Sequence, residues 1–331
     1  MAQALKSGRG FLQAFAALAL TLSACAAPAA SLEPLSVRLD WLPGAYHAPL
    51  YLAKERGYYS ALGLDVTINS GQGSAVTLQV VGSGAETIGV AGMPALVTAV
   101  SRNLPVIAIA VMVQNSQASV ISLKSTGIRT PQDLVGKRWG AVPGEESAQL
   151  FTAFSALNHV DLRSVHRISL SAAASRTALM NGDVDFICGW ASADALKLAR
   201  VRPLNDPMLF RDRGLNMLGS TLFVARSTLA AKPDVLRRFM LATRKAADEI
   251  AANPQAGVDA LLHARSELDQ ALLASESKVF SAATHTSRSA GHPYGWVAPP
   301  DLIDTLGVMR KFYAVPASIT PDSVYTDQFV R

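Results

Sequence analysis

Four side chains able to do chemistry crowd one short stretch of this sequence: Asp40, Trp41, Tyr46 and His47, on either side of Pro43-Gly44. An indole and a phenol offer flat faces to a planar molecule, while a carboxylate and an imidazole hydrogen-bond heteroatoms. The alternatives are core packing beneath a helix for Trp41 and Tyr46, and a satisfied structural role for His47. Further along, Gly71-Gln72-Gly73-Ser74 makes a glycine-containing turn ahead of a helical run. Gly73 lets backbone approach a ligand, and the amides from Ser74 onward could hold an acid group, unless the stretch is simply a tight turn. Pro143-Gly144-Glu145-Glu146-Ser147 occupies the corresponding place later in the chain. Either acid can accept hydrogen bonds from a cationic or amino-bearing ligand, or merely favour a helix start. Two acids there disfavour a bare inorganic anion. Gly189-Trp190 with Asp194 one turn on, Met93 after Gly92, and Gln114-Asn115 after a long apolar run complete a candidate cleft lining.

The elements that must position these groups can be read from periodicity. Val37 to Leu39 is a short apolar strand, Leu50, Ala53 and Tyr58 keep helical spacing, and Gly63 leads into a second strand, Leu64-Asp65-Val66. In an open α/β sheet ligands sit outside the carboxyl ends of strands, which places Asp40 to His47 at a ligand site. The alternation continues: a helix from Ser74, a strand at Thr87–Val90, a helix from Pro94, and an apolar strand at Pro105–Val113 of the kind buried on both faces of a parallel sheet. A second α/β unit follows, with strands at Val120–Leu123, Arg138–Val142, Val165–Leu170 and Val184–Gly189, and helices near 146–157, 172–180 and 192–200. Thr130 and Asp133 have capping-box spacing. From Pro233 onward the pattern is mostly helical.

The run D-W-x-P-x-x-x-H-x-x-x-Y from Asp40, followed by G-Y-Y-x-x-x-G-L-D-V, resembles the opening of substrate-binding proteins of ABC importers. The similar branch binds thiamine pyrimidine precursors and is related to nitrate, sulfonate and taurine binders. The likeness continues through Gly71–Ala75, Gly82–Val90, Ser122–Lys137, Gly182–Ile187 and Gly295–Phe329, nearly the whole mature chain. It implies a bilobed type II periplasmic-binding-protein fold: lobe 1 from 37–121 and 221–331, lobe 2 from 122–220, joined by a hinge. It also implies an aromatic residue and an acid near the end of the second-lobe strand, for which Trp190 and Asp194 are the nearest residues of those types.

Residues 1–24 read as an export signal, with Lys6 and Arg9 in a basic region, an apolar Phe11–Leu22 too short to span a bilayer, and Leu22-Ser23-Ala24-Cys25 at its end. That ending resembles a lipobox, so Cys25 is expected to carry acyl chains and residues 25–36 to form a tether, giving a membrane-anchored protein in the periplasm or on the cell surface. Losing Lys6 and Arg9 lowers the formal charge from +5 to +3. No basic run interleaves with aromatics, so nucleic acid is not an expected partner. The chain has 2 cysteines, and with Cys25 spent Cys188 has no disulfide partner and reads as a small buried hydrophobe.

The expected function is capture of a small heteroaromatic, pyrimidine-like or organic anionic solute by a monomer that delivers it to ABC permease subunits. Two alternatives share the cleft: a pyrimidine-synthase-like enzyme, and a ligand sensor for a membrane signalling partner. Fungal pyrimidine synthases resemble the same opening motif but carry a cysteine-rich, metal-binding segment. This chain lacks one, its 6 histidines show no paired-ligand spacing, and no G-x-S-x-G, C-x-x-C or H-E-x-x-H occurs. The sequence therefore points to no enzyme, no cofactor and no metal.

Overall fold

Where short β-branched runs alternate with amphipathic stretches, the chain forms strands flanked by helices. The structure, a computed structural model, describes residues 31–143 and 145–331. The expected export signal, Cys25, the first part of the tether and Gly144 lie outside the described residues. Strands β1 (Glu33–Arg38), β2 (Leu64–Asn69), β3 (Ile88–Gly92) and β4 (Val106–Val111) are separated by α1 (Ala48–Glu55), α2 (Ser74–Gly82) and α3 (Met93–Ser101). There follow β5 (Ala118–Ser122), β6 (Arg138–Ala141), α4 (Glu146–Leu157), β7 (His166–Ser169), α5 (Ala172–Asn181), β8 (Phe186–Trp190), α6 (Leu196–Ala199) and β9 (Met208–Leu209). After β10 (Ser220–Ala225) the chain is helical: α7 (Arg226–Ala231), α8 (Pro233–Ala252), α9 (Pro254–Ala264), α10 (Gln270–Ser281), α11 (Pro299–Tyr313) and α12 (Pro321–Val324). Asp133 accepts from the Thr130 amide at 2.8 Å, closing the expected capping box.

Two mixed five-stranded sheets result, ordered β2-β1-β3-β10-β4 and β7-β6-β8-β5-β9. In the first, β1 lies parallel to β2 and β3, and β10 runs antiparallel between β3 and β4. The second repeats the plan, with β6 parallel to β7 and β8, and β5 antiparallel to β8 and β9. This is an α/β fold of two lobes.

Three local expectations are corrected. Strand β1 starts at Glu33, so residues 33–36, expected in the tether, pair with Leu64–Thr67. Pro34 lacks an N–H but is tolerated, because only Val37 and Arg38 also pair with β3. Strand β5 is bonded into the second sheet from Ala118, earlier than the expected crossing at 121/122. And β4, though buried throughout, is an end strand paired antiparallel with β10, not a central parallel one. Its free edge is covered by the C-terminal chain: Val111 N–H donates to Gly295 O at 2.9 Å and Thr326 N–H to Ala108 O at 3.0 Å.

The lobes are joined by two crossing segments, 112–117 and 210–219. Met112 N–H donates to Ser220 O and Gly219 N–H to Val113 O, both at 2.8 Å, and the Ser116 amide donates to Asn216 Oδ1 at 3.2 Å. Gln114 and Asn115, expected to line the cleft, are occupied here. Gln114 is fully buried; its Nε2 donates to Trp296 O at 2.7 Å and its Oε1 accepts from Ser289 Oγ at 2.6 Å. Asn115 Nδ2 donates to His285 O at 2.6 Å. Both side chains fasten the C-terminal segment to the hinge. Gln114→Ala would remove the bonds to Trp296 O and Ser289 Oγ and leave a cavity, and urea unfolding is expected to show a loss of about 2 kcal/mol. A cleft-lining glutamine would instead cost affinity and almost no stability.

Candidate ligand-binding cleft

The first wall of the cleft is set by close backbone packing where β1 ends. Gly71 N–H donates to Trp41 O at 3.0 Å and Gly73 N–H to Asp40 O at 2.7 Å. A Cβ on Gly71 would lie 1.9 Å from Leu39 O, so only glycine fits. Gly73 has φ 113°, a conformation that disfavours a side chain. Ser74 Oγ then accepts from the Gly92 amide at 3.0 Å, tying the start of α2 to the end of β3.

This packing presents Asp40. Its Oδ1 takes the Tyr46 hydroxyl and His47 Nε2, each at 2.9 Å. His47 is fully buried, and its Nδ1 accepts from the Gly44 amide at 3.2 Å. The ring proton is thereby assigned to Nε2, which donates to Asp40. Burial, then the Asp40 carboxylate, pushes the Tyr46 phenol well above its usual range.

The second wall comes from the other lobe at the start of α4. Glu146 reaches across: its Oε2 lies 3.2 Å from the position a Cβ on Gly92 would take. Burial, reinforced by Asp40, pushes its carboxyl up to about 7. No hydrogen bond reaches it among the described residues. Nearby, Ser147 Oγ and the Tyr313 hydroxyl are buried without a partner among the described residues.

Beside them, Arg176 of α5 binds Asp194 at 2.7 Å and lies 3.5 Å from Glu145. Asp194, carried on a π-helical turn at Ala191–Ala195, also accepts from the Trp190 amide at 2.9 Å. A Cβ on Gly189 would come within 2.8 Å of Asp194 Oδ2, which explains the glycine before Trp190. Burial raises the Glu145 carboxyl against the pull of Arg176. Glu276 of α10 is buried near Gly44, and burial raises its carboxyl too, against Lys197. The lobes touch here: Arg200 Nη1 meets Asp269 Oδ2 at 2.5 Å, joining the end of α6 to the N-cap of α10.

Asp40, Tyr46, His47, Gly73 and Ser74 thus meet Glu145, Glu146, Ser147 and Asp194 around one shut crevice. Trp41 is 58% exposed at its rim, so its ring is not spent on the core. Trp190 is half-buried against the second lobe's core, and Met93 is wholly inside, its amide bonded to Gly219 O at 2.8 Å. Sequence reasoning missed Arg176, Lys197, Glu276 and Tyr313. They lie on helices with no local motif, and only folding brings them to the crevice. The assembled surface is rich in hydrogen-bond acceptors and flanked by rings, suited to a planar molecule that carries N–H donors.

Paired sheets of corresponding plan, two crossing segments and a crevice between them define a type II periplasmic-binding-protein fold. The structure of the periplasmic aliphatic sulphonate binding protein SsuA from Escherichia coli has it too: TM-score 0.70, with 91% of this chain and 100% of that one covered, at 14% identity. A family model described as NMT1/THI5 like matches residues 44–257, and the chain belongs to that family. A protein named 4-amino-5-hydroxymethyl-2-methylpyrimidine phosphate synthase from Aspergillus parasiticus is 29% identical over 243 residues, 69% of this chain and 70% of its own length. The formylaminopyrimidine-binding protein of Halalkalibacterium halodurans is 36% identical over 121 residues, 35% of this chain and 37% of its own. These relatives correct the expectation that the chain is no enzyme. Proteins named as synthases align with about 70% of it at 24–29% identity.

Glu146 makes stability depend on pH. Its carboxyl titrates near 7 in the fold and near 4.5 in the unfolded chain, so ionisation costs nothing below about pH 4.5 and its full amount above about pH 7. Glu146→Gln removes that cost. Denaturation of the two proteins is expected to agree near pH 4.5, with the variant about 1–3 kcal/mol more stable at pH 8. Parallel pH profiles would show that Glu146 is solvated.

Proposed function

We propose that this chain is the exported, solute-capturing component of an ABC importer and that its lobes close on a small amino-bearing heteroaromatic, pyrimidine-like ring. The observation that carries this is the half-buried Glu146 carboxyl, which reaches across to Gly92 near Asp40 and has no hydrogen-bond donor among the described residues. A ring with amino or N–H groups supplies the missing donors, whereas an organic anion adds a like charge beside two acids. The ring lies against Tyr46 under Trp41, with Asp40 and His47 on one side and Glu145, Glu146 and Ser147 on the other. Family membership supports a pyrimidine, as does the formylaminopyrimidine binder's name. Release to permease subunits as a monomer, from a lipid anchor at Cys25 on the periplasmic or cell-surface side, rests on the N-terminal sequence and the fold.

A second reading has its own support in the synthase-named relatives: the same crevice performs chemistry on the bound pyrimidine. Mass spectrometry of the small molecule recovered after incubation separates the two, since an unchanged ligand carries the first and a converted one the second.

In calorimetry, 4-amino-2-methylpyrimidines are expected to bind one per chain and to stabilise the fold by about 2.7 kcal/mol at a hundredfold excess over Kd. An alkyl sulfonate is expected to give no response. Trp41→Ala is expected to weaken binding about tenfold while stability stays within about 0.5 kcal/mol. A sulfonate binding in place of the pyrimidine would sink the proposal.

A further inference from the structure

Tyr46 separates two spaces. Its hydroxyl reaches Asp40 in the crevice, and its ring, 5.1 Å from that of Phe280, walls a cavity of about 180 Å³ between α1, α8 and α10. Neither Asp40 nor Glu146 lines this cavity. Its apolar surface comes from Met112, Ile250, Phe280 and Tyr294, together with Tyr46 itself. A closed apolar cavity of about 150 Å³ is enough to hold a benzene ring, so one six-membered ring with a short substituent fits.

The charge on the lining has one sign. Asp248 of α8 lines the cavity, is exposed to solvent, and has neither ion pair nor hydrogen bond among the described residues. No lysine or arginine is part of the lining among the described residues. The lining His285 has both ring nitrogens engaged, Nε2 donating to His292 O and Nδ1 facing Thr284 Oγ1, each at 3.1 Å. An unpaired carboxylate beside a ring-sized apolar space selects an organic cation with an aromatic body.

We propose that this cavity is a second small-molecule site, taking a monocyclic arylmethylamine with its ammonium on Asp248 and its ring among Met112, Phe280 and Tyr294. Two parts of the lining link it to the cleft. Tyr46 belongs to both, and Met112 and Val113 lie on a crossing segment whose amides both donate to Ser220 O.

The test is calorimetry and ligand-observed NMR on the intact protein with benzylamine, toluene and benzoate. Benzylamine is expected to bind one per chain, toluene more weakly and benzoate not at all. Asp248→Asn should weaken benzylamine about tenfold and leave toluene unchanged, and Ala251→Trp, which fills the mouth, should abolish both. Benzylamine binding that is absent, or that is equal in all three proteins, overturns the proposal. In Asp248→Asn the affinity for a 4-amino-2-methylpyrimidine is expected to match that of the unaltered protein. Loss of pyrimidine binding from the unaltered protein while benzylamine still binds would count against the proposed cleft function and leave this site standing.

Discussion

Asp40 and Glu146 come from opposite lobes, and the shut crevice holds them in each other's field with water largely removed. Desolvation penalises the charged form of Glu146, and Asp40 adds to the penalty. Parting the lobes returns both groups to water. A ligand that donates hydrogen bonds to Glu146 offsets the penalty while the lobes stay together. On the proposed function, the balance between open and shut shapes depends on what lies between two acids, and a ligand shifts that balance only by its differential affinity.

The rest of the architecture makes that meeting possible. Asp40 is presented by backbone packing that only glycine permits at Gly71, and Gly92 leaves the gap through which Glu146 approaches. The facing wall is pinned by Asp194, which holds the Trp190 amide and Arg176 together. Crossing segments at 112–117 and 210–219 join the lobes, while Gln114 and Asn115 hold the C-terminal chain to them. Helix α10 packs beside Tyr46 and reaches the other lobe through Asp269.

Fold alone does not separate capture from chemistry. A buried histidine held in one tautomer by Gly44 and Asp40, and a carboxyl titrating near neutrality, would serve either, because preorganised polar groups that recognise a heterocycle are also those that move its protons. Reading the lack of cysteine clusters as a lack of catalysis relied on one chemistry being the only one available. Synthase-named relatives removed that support.

Local pattern was sufficient for the elements. Helix α4 runs Glu146–Leu157 and α2 Ser74–Gly82, close to where periodicity places them, because that signal acts within a few residues; Ser74 opens α2 without capping it, its hydroxyl taking the Gly92 amide instead. The position of Asp40, Tyr46, His47 and Glu146 at strand ends and helix starts was legible for the same reason, as was the two-lobed α/β class. Tertiary structure alone decided the rest. That β4 ends its sheet under a C-terminal cover, that Gln114 is spent inside the hinge, and that Arg176, Glu276 and Tyr313 join the crevice depend on contacts between residues up to about two hundred positions apart. Neither periodicity nor spacing carries a contact of that kind, since it exists only once both sheets have formed and faced each other.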